Sequence, residues 1–217
     1  MIMINGDNIE ASELPLKVQL VLDVGGVLLS NLTPTFWTQL VEHTGVEHSL
    51  IRSRYKQEIR DDLWSGAIEE PQFWQWMNQY CPSLSEEVGR GMIMDNLVPL
   101  ASLERLASWQ QLADLHILSN HRTEWLAPKL ADHAHCFTSI TVSSSAGCFK
   151  PNLRIYEHAA NAIDSARGPI LFIDDSPANL KQAESLGWAV LLADPAGEWL
   201  DKVEPAMRQL LEGYKAK

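Results

Sequence analysis

Four short stretches hold the residues best suited to chemistry. Asp23 is followed by Gly25 and Gly26 in LDVGGVL, residues 22–28. Ser119 and Asn120 close ILSN, residues 117–120. Lys150 precedes Pro151 in FKPNLRIYEHA. Asp174 and Asp175 are adjacent in FIDDSPANL, which ends just past Asn179. Three carboxylates gathered in one place repel: two unit charges 4 Å apart cost ~4 kcal/mol at an effective dielectric near 20. A divalent ion turns that repulsion into binding, and hard oxygen ligands favour Mg2+. Lys150 would neutralise further charge. Ser119 offers a hydroxyl, and backbone amides at a helix start make an anion site. Together these groups can hold a phosphate. Asp23 is then an oxygen nucleophile aimed at phosphorus, and an aspartyl-phosphate is a known kind of covalent intermediate.

The elements that must position these residues follow from hydrophobic patterning. Near-continuous apolar runs at 18–23, 115–119, 139–143, 170–174 and 189–192 predict strands covered on both faces. Helical spacing predicts helices at 100–112, 153–163 and 179–186, with Gly187 placed as a C-terminal cap. Alternating strands and helices imply an α/β fold, a Rossmann-like parallel sheet. Ligands of such sheets bind beyond the carboxyl ends of the strands. Asp23, Ser119-Asn120 and Asp174-Asp175 end the first, second and fourth strands, and Lys150-Pro151 opens the helix between the third and fourth. One region breaks the alternation. Residues 33–97 read almost wholly as helix, with helices expected at 36–43, 49–63 and 71–80. Four of the eight tryptophans, Trp37, Trp64, Trp74 and Trp76, fall there. The tail, 198–217, reads as a terminal helix.

These four motifs, in this order, resemble those of the haloacid dehalogenase-like hydrolase superfamily, over about residues 17–200. The resemblance implies a core at 17–32 and 98–217, an inserted helical cap at 33–97 and an N-terminal extension at 1–16. Within the cap, LWSGAIEEPQFW is similar to the family's helix, short glycine-containing turn and next helix. The resemblance makes Asp23 the nucleophile. It makes Asp23, the carbonyl of Gly25 and Asp175 ligands of Mg2+, with Asp174 a ligand directly or through water. Ser119, Asn120 and Lys150 would hold the transferring phosphoryl group. The implied activity is a magnesium-dependent phosphomonoester phosphatase acting on a small phosphorylated metabolite, a sugar phosphate among the candidates.

Gly25 departs from that pattern. Most phosphatases of the family carry a second Asp there, which protonates the leaving oxygen and later activates water. General acid–base catalysis contributes typically 10²–10⁴-fold, roughly 3–5 kcal/mol. Its absence implies a good leaving group (an anomeric, acyl or aryl phosphate), a proton from a cap residue or water, or slow turnover. A phosphomutase, which needs the acid–base step twice, is disfavoured. Two alternatives remain open: a metal-free 2-haloacid dehalogenase-type hydrolase, against which the acidic pair speaks, and a catalytically weakened binding or regulatory protein.

Composition sets the outer limits. The chain has 217 residues, 46% of them hydrophobic, and a formal net charge of −11. A chain of this size builds a full core without disulfides or metals as staples. Its acidity and the lack of a basic stripe argue against nucleic acid and against anionic membrane surfaces. No stretch reaches the ~18 apolar residues of a membrane span. Three cysteines, widely spaced and without a CxxC, suit reduced thiols and a cytoplasmic setting. Residues 1–15 lack the basic and apolar regions of a signal peptide. A monomer and a homodimer are both compatible with the sequence.

Several residues have plainer readings. Asp23 with two glycines also suits a strand leaving the sheet through a turn, and Ser119-Asn120 a helix cap. His133, His135 and Cys136 lack a second cluster at metal-finger spacing and read as a surface turn. Cys148 reads as structural and His121 as part of a helix face. Asp61, Asp62 and Arg60 read as a solvated face. Trp64, beside the Gly-Ala-Ile turn, is the cap aromatic best placed to meet a ligand.

Overall fold

The computed structural model describes residues 15–216. The signal-peptide reading of 1–15 therefore lies, except for Pro15, outside the described residues. Five strands form one parallel sheet: β1 (Val18–Leu22), β2 (Ala113–Ser119), β3 (Phe137–Val142), β4 (Ile170–Asp174) and β5 (Ala189–Leu192), in the order β3-β2-β1-β4-β5. β1 is central and wholly buried. It pairs Leu22 with Ile117 of β2 and with Ile173 of β4, so the three strands end within two residues of one another. Successive side chains of a strand face opposite ways. Leu20, Leu22, Ile117 and Ile173 accordingly join one apolar layer, and Val21, Leu118 and Phe172 the other. Two covered faces explain why these strands read as continuous apolar runs. β3 lies at one edge and alternates between half-buried and exposed residues, which is why its sequence signal is weaker.

Five helices fall within the described stretch 33–97 after β1: α1 (Thr35–Thr44), α2 (His48–Glu58), α3 (Arg60–Ser65), α4 (Glu70–Tyr80) and α5 (Glu86–Asn96). The helix expected at 49–63 is broken at Ile59, whose φ of −142° leaves the helical region. The break turns α3 toward the sheet, where Gly66, at φ +74°, abuts the backbone of Ser144 with no room for a Cβ. α5 adds a helix to the three expected here; Ser85 caps it by accepting from the Val88 N–H. The apolar faces of the insert are continuous with one layer of the sheet, through Phe36, Trp37, Leu40, Ile51 and Phe73.

Helices of the remaining chain are α6 (Leu106–Trp109), α7 (Thr123–Leu130), α8 (Ser143–Ala146), α9 (Leu153–Asn161), α10 (Pro177–Glu184) and α11 (Leu200–Lys215). The helix expected at 100–112 is a 3₁₀ segment, Ala101–Arg105, running into α6. α7 lies outside the expected helices, and its internal Pro128 masks it, because proline normally ends a helix. Gly187 has φ +80° just after α10, as a terminating glycine should. No described helix is long and apolar enough to cross a membrane.

Candidate active site

The strand order turns back at β1: β2 and β3 lie to one side, β4 and β5 to the other. Open parallel sheets bind ligands beyond the carboxyl ends at such a point, and there the motifs converge. Asp23 directly follows β1, with its N–H donating to Ile173 O of β4 at 2.9 Å. Asp174 ends β4 and Ser119 ends β2. Asp23, Asp174 and Asp175 each present a carboxylate oxygen within 4.8 Å of the others'. Among the described residues this is the sole group of three or more His, Cys, Asp or Glu side chains so arranged.

Lys150 lies beneath them, 3% exposed. Its ammonium has three acceptors: Leu118 O at 2.9 Å, Asp174 Oδ2 at 2.6 Å and Asp23 Oδ1 at 2.9 Å. Burial pulls its pKa down, but Asp23 and Asp174 pull harder, and the net shift is upward. Lys150 does not open a helix. α9 starts at Leu153, capped by Asn152, whose Oδ1 accepts from the Arg154 N–H. The loop before α9 is set by Asn120, whose Oδ1 accepts from Lys150 N (2.6 Å) and whose Nδ2 donates to Lys150 O (2.8 Å). Ser119 and Asn120 do not cap a helix either, since α7 begins at Thr123.

The two acids of the fourth motif differ. Asp174 is fully buried. Its Oδ1 accepts from the Ser176 N–H and Asn179 Nδ2, and its Oδ2 from Lys150 and Asn179. A carboxylate has about four lone-pair sites, so protein donors fill this one. Asp175 instead accepts from Asn31 Nδ2 at 2.8 Å and reaches solvent. Asp23 Oδ1 accepts from the Val24 N–H at 2.7 Å as well as from Lys150. Burial drives the Asp23 carboxyl upward, Lys150 opposes, Asp174 adds to the rise, and the result is about 7.

The residues fit Mg2+. The ion takes hard oxygen ligands, and these carboxylates present such oxygens within 4.8 Å of one another. Three carboxylates gather around a single ammonium, and that excess of negative charge gives the electrostatic reason for a cation there. Asp23, Asp175 and the Gly25 carbonyl would hold it, with Asp174 anchoring Lys150.

A cleft of about 350 Å³ opens over Asp23, Ser119, Asn120 and Lys150 and is walled by Asn31, Thr33, Trp64 and His121. Among the described residues, Asp23 and Lys150 are its only charged lining side chains, and they pair with each other. Trp64 is the cap aromatic singled out from the sequence. Asn31 and Thr33 carried no recognisable signal, lying in an irregular loop after β1. His121 is not on a helix face: it precedes α7 and packs edge-on between Trp64 and Trp125. Its Nδ1 accepts from the Arg122 N–H, so Nε2 carries the proton, and Nε2 is buried without a partner. Burial lowers its pKa to about 4. His121 stays neutral in the folded chain while titrating near 6.5 when unfolded. It should therefore withdraw stability as pH falls from about 6.5 toward 4, by up to ~3 kcal/mol. Urea melts of His121→Asn and wild type, compared from pH 4 to 7, should diverge over that window; parallel curves would refute it.

The other candidates stay apart. Arg60 pairs with Asp61 on the surface, and neither they nor Asp62 line the cleft. His133, His135 and Cys136 lie in a 3₁₀ segment, with His135 Nε2 3.5 Å from the Cys136 sulfur. All three cysteines are free and buried, and burial raises the Cys148 thiol.

No protein-family model and no curated protein matches the chain. Solved structures do. A predicted HAD-like family hydrolase from Porphyromonas gingivalis is 22% identical, with a TM-score of 0.70, covering 89% of this chain and 98% of its own. A HAD family enzyme from Bacteroides thetaiotaomicron is 19% identical, with a TM-score of 0.71 in its complex with magnesium and inorganic phosphate, covering 84% and 97%. An L-2-haloacid dehalogenase from Xanthobacter autotrophicus is 16% identical, with a TM-score of 0.56, covering 81% and 76%. With the parallel sheet, its strand order and the insert after β1, these likenesses give the chain the fold of the haloacid dehalogenase-like hydrolases.

Proposed function

We propose that this protein is a magnesium-dependent phosphatase of a small phosphorylated metabolite, working through phosphorylated Asp23. The observation that carries the reading is the convergence of Asp23, Asp174 and Asp175 at the strand ends, with Lys150 paired to the first two. Asp23 Oδ2 is the oxygen not engaged by Lys150 or the Val24 N–H. It attacks phosphorus, an Asp23–phosphorus bond forms, and the ester oxygen leaves with its electron pair. Water then attacks the same phosphorus, releases Asp23 and leaves inorganic phosphate. Lys150 holds Asp23 in place through the other oxygen, and Ser119 binds a phosphoryl oxygen. Asn120 acts through the backbone of Lys150 rather than on the substrate. The bound ion would neutralise charge on the phosphoryl oxygens.

The cleft's size supports a small substrate, since ligand pockets span ~300–1,000 Å³. Its uncharged hydroxyl, amide and aromatic walls suit a neutral, polar leaving group such as a sugar, and weigh against a dicarboxylate or a nucleotide. The helices of 33–97 act in this reading as a cap, with Trp64 facing the ligand.

No side chain at Gly25 can protonate the leaving oxygen. The expected ranking is thus acyl, anomeric and aryl phosphates well above simple alkyl phosphates. A proton donor typically contributes 10²–10⁴-fold, so the aryl-to-alkyl ratio of kcat/KM should exceed about 100. Phosphate release is measured with Mg2+ and with EDTA. Equal rates on both esters would mean that a proton donor exists in the cleft. Turnover undiminished by EDTA would overturn the metal dependence. The likeness to a haloacid dehalogenase makes a second substrate worth the same assay: chloride released from a 2-haloacid in EDTA would favour carbon attack by Asp23. Phosphate binding with no turnover on any ester would favour a binding protein.

A further inference from the structure

The space a side chain at position 25 would occupy is already filled. A Cβ built on Gly25 would lie 2.6 Å from Asn31 Oδ1, closer than such atoms approach. The same amide's Nδ2 donates to Asp175 Oδ2 at 2.8 Å and lies 2.9 Å from where a Gly26 Cβ would be. Gly26 itself has φ +70°, a conformation that favours glycine. Asn31 itself is exposed, so its amide is the group that a Cβ at position 25 would displace, while the backbone before it is fixed. The Ser30 N–H donates to Val98 O at 2.8 Å, and the Ser30 hydroxyl accepts from the Val98 N–H at 2.9 Å and donates to Asn96 O. Asn31 also lines the cleft beside Asp23.

We infer that Asn31 is a positioning residue that takes the place of the side chain Gly25 lacks, and that Gly25 and Asn31 form a matched pair. Nδ2–H holds the plane of the Asp175 carboxylate. Oδ1 fills the position 25 volume with a neutral acceptor. An amide orients a neighbouring water or hydroxyl without exchanging a proton, so the absent acid is replaced in space but not in chemistry. The inference rests on the proposed reading in taking Asp175 to hold Mg2+.

The test is a double-mutant cycle on Mg2+ binding, read by calorimetry without substrate, with melting temperatures as a fold control. Outer hydrogen-bond partners of metal ligands typically affect metal affinity 10–100-fold. Asn31→Ala should therefore weaken Mg2+ binding by about tenfold without lowering the melting temperature. Gly25→Ala should weaken it comparably, because its methyl displaces the amide. The double variant should bind no worse than Asn31→Ala alone, since the displaced group is then gone; neighbours sharing one interaction fail to add. If Asn31→Ala binds Mg2+ like wild type, or if the two single losses add in the double variant, the matched pair is refuted. Should Gly25→Ala fail to fold, Asn31→Ser replaces it: a hydroxyl too short to reach Asp175 should weaken binding as alanine does, and wild-type affinity would refute the role. Phosphate release is scored separately. A cycle that behaves as stated without any phosphatase activity overturns only the proposed function. Asp23-dependent phosphatase activity with an additive cycle overturns only this inference. Failure of wild type to bind Mg2+ overturns both.

Discussion

Asp23→Asn should abolish phosphate release, by about 10³-fold or more, while leaving the fold intact. The amide keeps the size of the carboxyl and an oxygen for the Val24 N–H and Lys150, but it is a far poorer nucleophile. Its effect on stability has a definite sign. The folded-state pKa of Asp23 is raised from 3.8 to about 7 by burial and by Asp174, against the pull of Lys150. Between those values the folded chain binds more protons than the unfolded one, so this carboxyl lowers stability as pH rises from about 4 to about 7. Without Mg2+, Asp23→Asn should remove that decline. Measurements are phosphate release with Mg2+ and urea melts in EDTA at pH 5 and 8. Equal phosphate release by variant and wild type would show that another group is the nucleophile.

Lys150→Met should have the opposite profile, with stability lost as well as activity. The ammonium is buried between two carboxylates, 2.9 Å from Asp23 and 2.6 Å from Asp174. Removing one partner of a buried ionic group strands the remaining charge, at a cost of ~3–5 kcal/mol. The Leu118 carbonyl and Asp174 Oδ2 also lose a donor. The penalty should be larger at pH 8 than at pH 5, because a freed Asp23 takes up a proton more readily than in wild type and sheds its charge. Urea unfolding at the two pH values checks this. A change below about 1 kcal/mol at pH 8 would mean that water reaches the carboxylates freely, as in exposed ion pairs.

Much of this architecture was legible in the residue order. β4 and β5 match the expected 170–174 and 189–192, and β1 and β2 differ only at their ends. Strands buried on both faces carry their signal locally. Asp23, Ser119 and Asp174 could be placed at strand ends for the same reason, because an acid or hydroxyl closing an apolar run marks where the chain leaves the buried sheet. α7 was hidden by Pro128 and the α2–α3 break by an apolar Ile59, since whether a backbone turns there depends on what it packs against.

The sequence alone determined the parallel α/β sheet, the helical insertion after the first strand, and the types of group available for chemistry. Hydrophobic periodicity and polar residues at strand ends are properties of neighbours along the chain. Tertiary structure decided how those groups divide their work. Asp174 and Asp175 are adjacent in sequence, yet one is saturated by Lys150, Asn179 and the Ser176 N–H, and the other reaches solvent with Asn31 as its donor. Asn120 holds the backbone of Lys150, His121 sits between two indoles, and Asn31 fills the gap at Gly25. Each of these depends on a donor, a ring or a volume supplied by a distant part of the chain, and only folding brings those parts together.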